Sequence, residues 1–370
     1  MTKAEVLSFY KGRRVLLTGH TGFKGAWLSK ILLDAGADVT GYALEPPTKP
    51  SLYQLAGLGK QMRSVMGDIR DFDYLNRVFD EVKPELVLHL AAQPIVRTSY
   101  QEPRLTYETN VMGTVNVCEA VRLHMESVRS FLNVTTDKVY RNNEWPWGYR
   151  ENEPLDGYDP YSNSKSCSEL VTHSYINSFF GGNAADATIG VSTARAGNVI
   201  GGGDFAKDRI VPDCVRAAQS GCPIIIRNPN STRPYQHVLE PLFMYLTIAA
   251  EQYKDPTRAG FYNVGPDECD CVTTGELVRL FGKYYGPGFK AEIAETDPNA
   301  PHEANFLKLD TSLIKQTFGY RPTWHIEDAV EKTVEWTKEW MDDSSKRSIC
   351  QIMEEQIADF QQQNKQKDDS

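Results

Sequence analysis

The stretch TGHTGFKG at residues 18–25 constrains the fold of this chain more than any other feature of its sequence. It continues an apolar run, RRVLLTG, and leads into GAWLSKILLDAG, which has the periodicity of a helix. Glycines at this spacing let the backbone approach a pyrophosphate, whose charge a helix N-terminus then stabilises. A strand, this turn and a helix predict a dinucleotide-binding site with contacts from Gly19, Thr21, Gly22, Phe23, Lys24 and Gly25.

Short apolar runs alternate with amphipathic stretches through the first half of the chain. The runs ADVTGYAL, MRSVMGD, PELVLHLAA and SFLNVTT are typical of strands, and helical patterns include those at 73–82 and 110–124. Continuous apolar strands that alternate with helices indicate a parallel sheet covered on both faces. We predict an α/β protein with a Rossmann-type doubly wound parallel sheet and a smaller C-terminal α/β lobe that binds the substrate.

The strand–helix alternation breaks down after about residue 195. We expect a dinucleotide-binding domain at 1–195, which later segments can rejoin, and a substrate-binding lobe at 196–342. Residues 343–370 are polar and end in QQQNKQKDDS, so they are expected to form a frayed tail.

The composition argues against several classes of protein. With 41% hydrophobic and 24% charged residues the chain has the make-up of a soluble globular protein, and no run approaches the ~20 apolar residues of a membrane-spanning helix. The N-terminus lacks the apolar segment of a signal peptide, and a net charge of -9 argues against a nucleic-acid-binding surface.

Cysteine usage points to a reducing compartment. The seven cysteines are scattered, and the close pair Cys269 and Cys271 lacks a second Cys or His pair at zinc-ligand spacing. We therefore expect reduced thiols, no metal and a cytoplasmic location.

Three further strand ends carry candidate contacts to a dinucleotide. In GDIRD (67–71), Asp68 and Ile69 are candidates for the adenine end, although Asp68 alone fits a helix N-cap equally well. Glu45 follows the second strand within a proline-rich loop and does not distinguish NAD from NADP. LAAQP (90–94) ends the fourth strand in small residues, as a backbone beside a cofactor requires, and contributes Leu90, Ala91, Ala92 and Gln93.

Reactive side chains follow the fifth predicted strand. TTDKVY (135–140) places Asp137 and Lys138 at the strand end, where they form either an exposed salt bridge or an acid and a base that face a substrate. In YSNSK (161–165), Tyr161 and Lys165 are four residues apart and share one face of a helix. A lysine beside a phenol favours the phenolate, so Tyr161 becomes a base for a hydroxyl proton as hydride leaves the same carbon.

These motifs, in this order and spacing, resemble those of the extended short-chain dehydrogenase/reductase family, whose members act on nucleotide sugars with NAD(P). The longer blocks ENEPLDGYDPYSNSK, ARAGNVIGGGDF, RPYQHVLEPL and PHEANFLKLD are similar to one branch of that family, the CDP-glucose 4,6-dehydratases. The likeness covers nearly the whole chain. It implies a hydro-lyase with tightly bound NAD that converts CDP-glucose to CDP-4-dehydro-6-deoxyglucose and water.

The resemblance implies an internal redox cycle. The sugar is oxidised at C4 with Tyr161 as base, water leaves across C5 and C6, and the hydride returns to C6. Thr136 is implied to contact the C4 oxygen, and Asp137 is implied to be the acid for the C6 hydroxyl. Lys138 stands where dTDP-glucose dehydratases carry a glutamate base, so it is either a neutral base for the C5 proton or an electrostatic stabiliser of the enolate.

The resemblance also implies the remaining contacts and the assembly. Arg97 has no assigned role, and residues 223–228 are a candidate segment for reading the cytosine. A homodimer or homotetramer is expected to form through residues 110–124 and 161–180. An exposed salt bridge is the alternative role for each arginine of the substrate set. The implied NAD contacts are Asn110, Thr135, Tyr161 and Lys165, and the implied substrate contacts are Thr136, Asn198, Arg209, Arg233 and His302.

Two other functions stay open at this stage. One is a nucleotide-sugar 4-epimerase or 4-reductase of the same fold, and the other is a catalytically silent NAD-binding protein. Asp137 and Lys138 favour the dehydratase, because an epimerase eliminates nothing and needs no acid at this point. The set Thr136, Tyr161 and Lys165 argues against a silent protein, which has no use for it.

Overall fold

A computed structural model describes residues 1–181, 187, 189–294 and 305–367 of the chain. The strands of the first half are β1 (Arg14–Thr18), β2 (Asp38–Ala43), β3 (Arg63–Met66), β4 (Leu86–His89), β5 (Ser130–Thr136) and β6 (Gly190–Ala196). Those of the second half are β7 (Val199–Ile200), β8 (Ile224–Ile226), β9 (Thr232–Pro234), β10 (Gln236–His237), β11 (Phe261–Val264), β12 (Cys271–Thr273) and β13 (Ala291–Ile293).

Helices flank these strands throughout the described chain. The first half contains α1 (Lys3–Tyr10), α2 (Phe23–Asp34), α3 (Leu52–Leu55), α4 (Phe72–Val82), α5 (Val96–Gln101), α6 (Pro103–Tyr107), α7 (Gly113–Leu123) and α8 (Pro160–Phe179). The second half contains α9 (Ile210–Ser220), α10 (Leu239–Lys254), α11 (Thr274–Tyr285), α12 (Ser312–Phe318), α13 (Ile326–Met341) and α14 (Ile349–Lys367).

One seven-stranded sheet organises the molecule. Its order is β3-β2-β1-β4-β5-β6-β11, and every neighbouring pair runs parallel. Side chains of successive strand residues point to opposite faces. Leu17 and Leu132 accordingly join the core under α2 and α10, whereas Leu16 and Phe131 join the core under α4 and α7. The predicted doubly wound Rossmann-type sheet is confirmed.

The second half of the chain builds a smaller α/β lobe and also returns to the sheet. Its core packs α9, α11 and α13 around residues such as Val211, Leu277 and Val330. The pairs β8–β13, β9–β12 and β7–β10 form small two-stranded sheets. β11 pairs with β6, with Phe261 opposite Thr193, so the large sheet takes in a strand from beyond residue 195. The division into domains at 195 and 342 stays a prediction.

The C-terminal segment differs from its prediction. For residues 349–367 the expectation of a frayed tail is wrong, because they form α14, which packs on the first lobe. Residues 368–370 lie outside the described part of the chain. Phe360 lies edge-on to Trp324 and beside Phe243, with ring centroids 5.0 and 5.1 Å away. The ammonium of Lys3 sits 3.6 Å from the centre of the same ring. The buried side chains of α14 include Ile352, Met353, Ile357 and Phe360.

In the described part of the chain, every helix is too short or too polar to cross a lipid bilayer.

Replacing the buried ring that anchors α14 should destabilise the protein. Phe360→Ala is expected to lower the free energy of unfolding by about 3–5 kcal/mol, because it leaves a cavity among aromatic neighbours. Leu313→Ala, at a side chain that is 40% exposed, is the control and should change the free energy by less than about 0.5 kcal/mol. Urea titration measures both, and equal small losses would show that α14 is not docked.

Candidate active site

The carboxyl ends of the strands open into one cavity of about 380 Å³ between the two lobes. Parallel strands bring these ends to the same edge of the sheet, where ligands of open α/β sheets bind. Many of the predicted site residues line this cavity together. They are Phe23, Lys24, Thr135, Thr136, Asp137, Lys138, Tyr161, Asn198, Arg209 and Arg233.

The glycine turn has the close approaches that its sequence predicts. Gly19 has a φ of +80°, and a Cβ there would lie 2.8 Å from the backbone nitrogen of Ala91. A Cβ on Gly25 would lie 2.1 Å from the carbonyl oxygen of Gly19. Gly22 is the N-cap of α2 and supplies no side-chain cap, so the first N–H groups of that helix are available to an anion. The turn therefore fits a pyrophosphate.

Hydrogen bonds fix the loop after β4 against its neighbours. The Thr18 hydroxyl accepts from the backbone N–H groups of Leu90 and Ala91 at 3.2 and 3.1 Å. The Asn110 amide accepts from the Gln93 N–H at 2.8 Å and donates to the Gln93 carbonyl at 3.1 Å. Asn110 thus holds the loop in place, and its predicted contact with NAD stays a prediction.

The predicted adenine-end residues lie after β3. Asp68 forms a salt bridge with Arg70 at 2.6 Å, and this hydrogen bond lowers the pKa of the Asp68 carboxyl. Asp71 takes the N-cap of α4 by accepting from the Tyr74 N–H at 3.0 Å, so the N-cap alternative for Asp68 is wrong. Ile69 is buried next to α7.

Asp137 is a buried carboxyl rather than one half of an exposed salt bridge. It is 1% exposed, and its Oδ2 atom has no hydrogen-bond partner in the described part of the chain. The Thr136 hydroxyl donates to Asp137 Oδ1 at 3.0 Å. Burial raises the pKa of this carboxyl, although the positive charge of Lys138 and the Thr136 hydrogen bond act in the opposite direction. Asp137 is therefore suited to carry a proton, and the surface alternative is wrong.

The start of α8 positions the other predicted catalytic pair. Asp159 caps the helix by accepting from the Ser162 N–H, and Pro160 occupies its first turn, which fixes where Tyr161 enters the cavity. Burial raises the pKa of Tyr161 to about 12, and a hydrogen bond with the Thr136 hydroxyl lowers it. Burial lowers the pKa of Lys165 to about 8, and its Nζ donates to the Val134 carbonyl at 3.1 Å.

A buried ion pair that the sequence did not reveal supports these groups. Glu169 lies one turn after Lys165 on α8, and its carboxylate accepts from Arg195 Nε and Nη2 of β6 at 3.0 Å each. The hydroxyl of Thr193 donates to the same carboxylate at 2.7 Å, and that of Thr135 donates to it as well. The side-chain hydroxyl of Thr135 is thus hydrogen-bonded to Glu169. The predicted contact of Thr135 with NAD stays a prediction.

Lys24 adds a further amine to the cavity. Burial, together with the positive charges of Arg209 and Lys165, lowers its pKa to about 7. The carboxylates of Asp137 and Asp204 act in the opposite direction. Sequence reasoning placed Lys24 only among the pyrophosphate contacts.

The second lobe supplies the cationic wall of the cavity. Arg209 forms a salt bridge with Asp204 at 2.9 Å, and Arg233 is buried with its Nη1 donating to the Thr232 carbonyl at 2.9 Å. Neither is an isolated surface arginine. The strand β8 and the residues after it also line the cavity, and the role of the segment 223–228 in reading the cytosine stays a prediction. His302 lies outside the described residues.

Arg97 has a partner that the sequence did not suggest. Its Nε lies 3.6 Å from Asp208 Oδ1, and Arg227 Nη2 lies 3.6 Å from the same oxygen. Asp208 therefore links α5 of the first lobe to the end of β8 in the second, across the cavity.

The close cysteine pair meets a histidine in the folded chain. His325 Nδ1 lies 2.8 Å from Asp270 Oδ2, beside Cys269. The other Asp270 oxygen accepts from the Ile326 N–H at 2.9 Å. Both oxygens of this carboxylate therefore have hydrogen-bond partners at the start of α13.

Comparison with known proteins identifies the family. A sequence model of the family described as GDP-mannose 4,6 dehydratase matches residues 16–333. The chain belongs to this family. The CDP-glucose 4,6-dehydratase of Salmonella typhimurium is 46% identical over 353 residues, which cover 94% of this chain and 98% of the relative.

Solved structures show how widely the fold is used. The dTDP-glucose 4,6-dehydratase of Bacillus anthracis, solved with NAD, has 20% identity and a TM-score of 0.73, covering 89% of this chain and 97% of its own. The UDP-glucuronic acid 4-epimerase of Bacillus cereus, solved with UDP-glucuronic acid and NAD, has 23% identity and a TM-score of 0.74, covering 88% and 99%. Dehydratases and epimerases share this fold, so the side chains of the site must distinguish them.

Removing one partner of the buried ion pair should lower the free energy of unfolding more than removing both partners. Glu169→Leu is expected to lower the free energy of unfolding by about 3–5 kcal/mol, because the Arg195 guanidinium stays buried without its counter-ion. Adding Arg195→Met should recover most of that loss. Urea titration of the two single variants and the double variant measures the coupling. Additive losses would contradict this account of the pair.

Proposed function

We propose that the protein converts CDP-glucose to CDP-4-dehydro-6-deoxyglucose and water, with NAD as its bound redox cofactor. The observation that carries the proposal is Asp137, a buried carboxyl in the same cavity as Tyr161, Thr136 and Lys138, one of whose oxygens has no hydrogen-bond partner among the described residues. Oxidation at C4 needs the tyrosine, and elimination needs the acid. The chain is also 46% identical to a protein named CDP-glucose 4,6-dehydratase.

The glycine turn and the α2 N-terminus are the proposed seat of the NAD pyrophosphate. Side chains at Gly19 or Gly25 would collide with backbone atoms, so the turn keeps the close packing that brings α2 towards β1. When bound there, NAD accepts a hydride from C4 of the sugar and later returns it to C6. Solved relatives of the same fold are named as NAD complexes, which supports this choice of cofactor.

The first step assigns Tyr161, Lys165 and Thr136 to C4. Tyr161 takes the proton of the C4 hydroxyl as hydride leaves the same carbon. Its phenol has a pKa of about 12 in this structure, so it needs a further positive charge nearby to become a base. Lys165 supplies positive charge from the same face of α8. The hydroxyl of Thr136 orients the C4 oxygen.

The second step assigns Asp137 and Lys138 to elimination. The C4 ketone acidifies the C5 proton, and Asp137 gives its proton to the departing C6 hydroxyl. Burial raises the pKa of Asp137 and so favours the protonated carboxyl that this step needs. Lys138 either removes the C5 proton or stabilises the enolate that forms. An epimerase removes no water and has no step for this carboxyl.

The substrate diphosphate is proposed to lie along the cationic wall of the second lobe. Arg209 and Arg233 are the proposed cations, with Asn198 as a neutral donor and His302 as a further contact. The backbone of β8 is the proposed neighbour of the cytosine, since it lines the cavity beyond these groups.

One assay tests the proposed activity. Purified protein is incubated with CDP-glucose and NAD, and the products are followed by NMR while absorbance reports NADH. A 4-keto-6-deoxy sugar that forms without net NADH supports the proposal. Accumulation of NADH, or of a C4 epimer, contradicts it. UDP-glucose and dTDP-glucose under the same conditions test the choice of nucleotide.

Lys138→Ala should separate the two chemical steps. We expect C4 oxidation to persist as a transient NADH signal in stopped flow, while 4-keto-6-deoxy product formation falls by about 100-fold or more, because elimination loses its base or its stabilising charge. Lys207→Ala, at an exposed lysine, is the matched control. If Lys138→Ala dehydrates CDP-glucose at the parent rate, the assignment of Lys138 is wrong.

We propose that the protein is a homodimer or homotetramer built through α7 and α8 with the turn before α7. Apolar side chains on these segments are exposed to solvent in the single chain, which is typical of an interface. The exposed fractions are 51% for Met112, 45% for Leu123, 52% for Leu170 and 50% for Phe179.

A charge on this surface should weaken the assembly. Leu170→Glu is expected to shift the protein towards the monomer, because a carboxylate would be buried without a partner in the interface. Leu313→Glu on α12 is the control, since that side chain is exposed to a similar degree, 40%, on another surface. Sedimentation velocity gives the oligomeric state. An unchanged state for Leu170→Glu would place the interface elsewhere.

We also propose that the protein works in the cytoplasm. All seven cysteines are free thiols in this structure, and proteins of oxidising compartments use such residues for disulfides.

A further inference from the structure

A buried histidine with no part in the proposed reaction joins two elements beside the glycine turn. His89 is the last residue of β4 and is 1% exposed. Its Nδ1 atom lies 2.7 Å from Thr18 Oγ1 at the end of β1, and its Nε2 atom lies 3.3 Å from Thr114 Oγ1 on α7. Both ring nitrogens therefore have hydrogen-bond partners, and these lie on different elements.

The surroundings of Thr18 determine where its hydroxyl hydrogen points. Thr18 Oγ1 accepts from the backbone N–H of Ala91 at 3.1 Å and from that of Leu90, shared with the Thr18 carbonyl, at 3.2 Å. A hydroxyl has two acceptor sites and one hydrogen, so the hydrogen goes to His89 Nδ1. His89 is therefore the neutral tautomer that carries its proton on Nε2. Burial and the positive charge of Lys165 lower its pKa to about 3, in agreement with a neutral ring.

The Nε2–H group of His89 leads to a second place where the same loop is held. It faces Thr114 Oγ1, whose own hydrogen is donated to the Asn110 carbonyl at 2.7 Å. The Asn110 side chain in turn accepts from the Gln93 N–H at 2.8 Å and donates to the Gln93 carbonyl at 3.1 Å. One imidazole thus connects the hydrogen bonds that hold the start of the loop 90–93 with those that hold its end.

The loop 90–93 packs directly against the glycine turn. A Cβ on Gly19 would lie 2.8 Å from the backbone nitrogen of Ala91, so the two backbones are in contact. The turn is the proposed seat of the NAD pyrophosphate, and the small residues of the loop predict a backbone that runs beside the cofactor. The position of the loop relative to the turn therefore sets the shape of the proposed NAD site.

We propose that His89 is a positioning residue for the NAD site. As the Nε2–H tautomer it takes the hydrogen of Thr18, which leaves both acceptor sites of that hydroxyl to the loop, and it braces Thr114 on the other side. The loop 90–93 is then held in its cofactor-binding shape before NAD arrives, and a pre-organised site loses less free energy to ordering when the ligand binds. This inference rests on the NAD site of the proposed function.

The affinity for NAD tests this role. His89→Leu removes both ring nitrogens and leaves the Thr18 hydrogen without its acceptor, so the Kd for NAD should rise by about 10-fold or more. His89→Asn places an amide oxygen where Nδ1 stands, which keeps an acceptor for Thr18, and it should recover most of the affinity. Isothermal calorimetry on the full-length protein, freed of bound nucleotide, measures both. An asparagine variant as weak as the leucine variant would contradict the role given to the Thr18 bond.

Gln252→Leu is the matched control. Gln252 is 0% exposed, and its amide donates to Ser130 Oγ at 2.9 Å and to the Phe131 carbonyl at 3.0 Å, at the opposite edge of the sheet. It should lower the free energy of unfolding as His89→Leu does, because it too removes buried hydrogen bonds, and it should leave the Kd for NAD unchanged. An equal rise of that Kd in the two variants overturns the positioning role, since a general loss of stability would then explain it.

The tautomer of His89 is a readout that does not depend on the leucine variant folding. Nitrogen–proton NMR correlation of protein with isotope-labelled histidine distinguishes the two neutral tautomers, and the signal lost in His89→Asn identifies His89. We expect the Nε2–H form at neutral pH. The Nδ1–H form or a charged ring would overturn the inference, because Thr18 could then not donate to Nδ1.

The failures of this inference and of the proposed function are distinguishable. If the parent protein forms 4-keto-6-deoxy product from CDP-glucose but His89→Leu binds NAD as tightly as the parent, the positioning role is wrong and the proposed function stands. If His89→Leu alone weakens NAD binding but the parent forms no such product, the proposed reaction fails and the positioning role stands. A parent protein that does not bind NAD overturns both.

Discussion

The common direction of the seven sheet strands is the constraint on which the rest of this molecule depends. Because every pair is parallel, the carboxyl ends of β1, β4 and β5 meet at one edge. The glycine turn, the loop held by Asn110 and the Thr136–Asp137 pair are each the continuation of one of these strands. The second lobe closes over this edge with arginines. The proposed acid, the proposed diphosphate contacts and the start of α2 thus line one cavity at this edge.

Burial gives the residues at this edge different chemical roles. Asp137 and Glu169 are both buried carboxyls close to the end of β5, yet their surroundings differ. Glu169 has a guanidinium and two hydroxyls as partners and serves as a fixed anion. Among the described residues, Asp137 has one hydroxyl as a hydrogen-bond partner and an oxygen without one, and burial raises the pKa of this carboxyl. These surroundings make Glu169 the ion-pair partner of Arg195 and leave Asp137 as the proposed acid.

The fold could be predicted, and candidate reactive residues could be named, because these signals are local. The glycine spacing, the strand–helix alternation and the pairs Asp137–Lys138 and Tyr161–Lys165 each occupy a few adjacent residues. The Glu169–Arg195 pair joins residues 26 positions apart across a helix and a strand, and nothing in either segment indicates the partner. The link from Arg97 through Asp208 to Arg227 likewise depends on how the lobes face each other.

The docked C-terminal helix was missed although its signal is present. Ile352, Met353, Ile357 and Phe360 recur at helical spacing and form an apolar stripe within a polar segment. The overall polarity of the segment concealed that stripe. The contribution of this apolar stripe to stability cannot be read from the sequence, because the stripe packs against aromatic residues of α10 and of the segment before α13.

The proposed reaction moves one hydride within the sugar, from C4 to C6, while Tyr161 takes the C4 hydroxyl proton and Asp137 gives a proton to the departing C6 hydroxyl. The most direct measurement uses CDP-glucose that carries deuterium at C4, with the product examined by NMR and mass spectrometry. The deuterium should be retained and appear on C6 of the 4-keto-6-deoxy product. Deuterium that stays at C4, as in an epimer, or that accumulates in free NADH would contradict it.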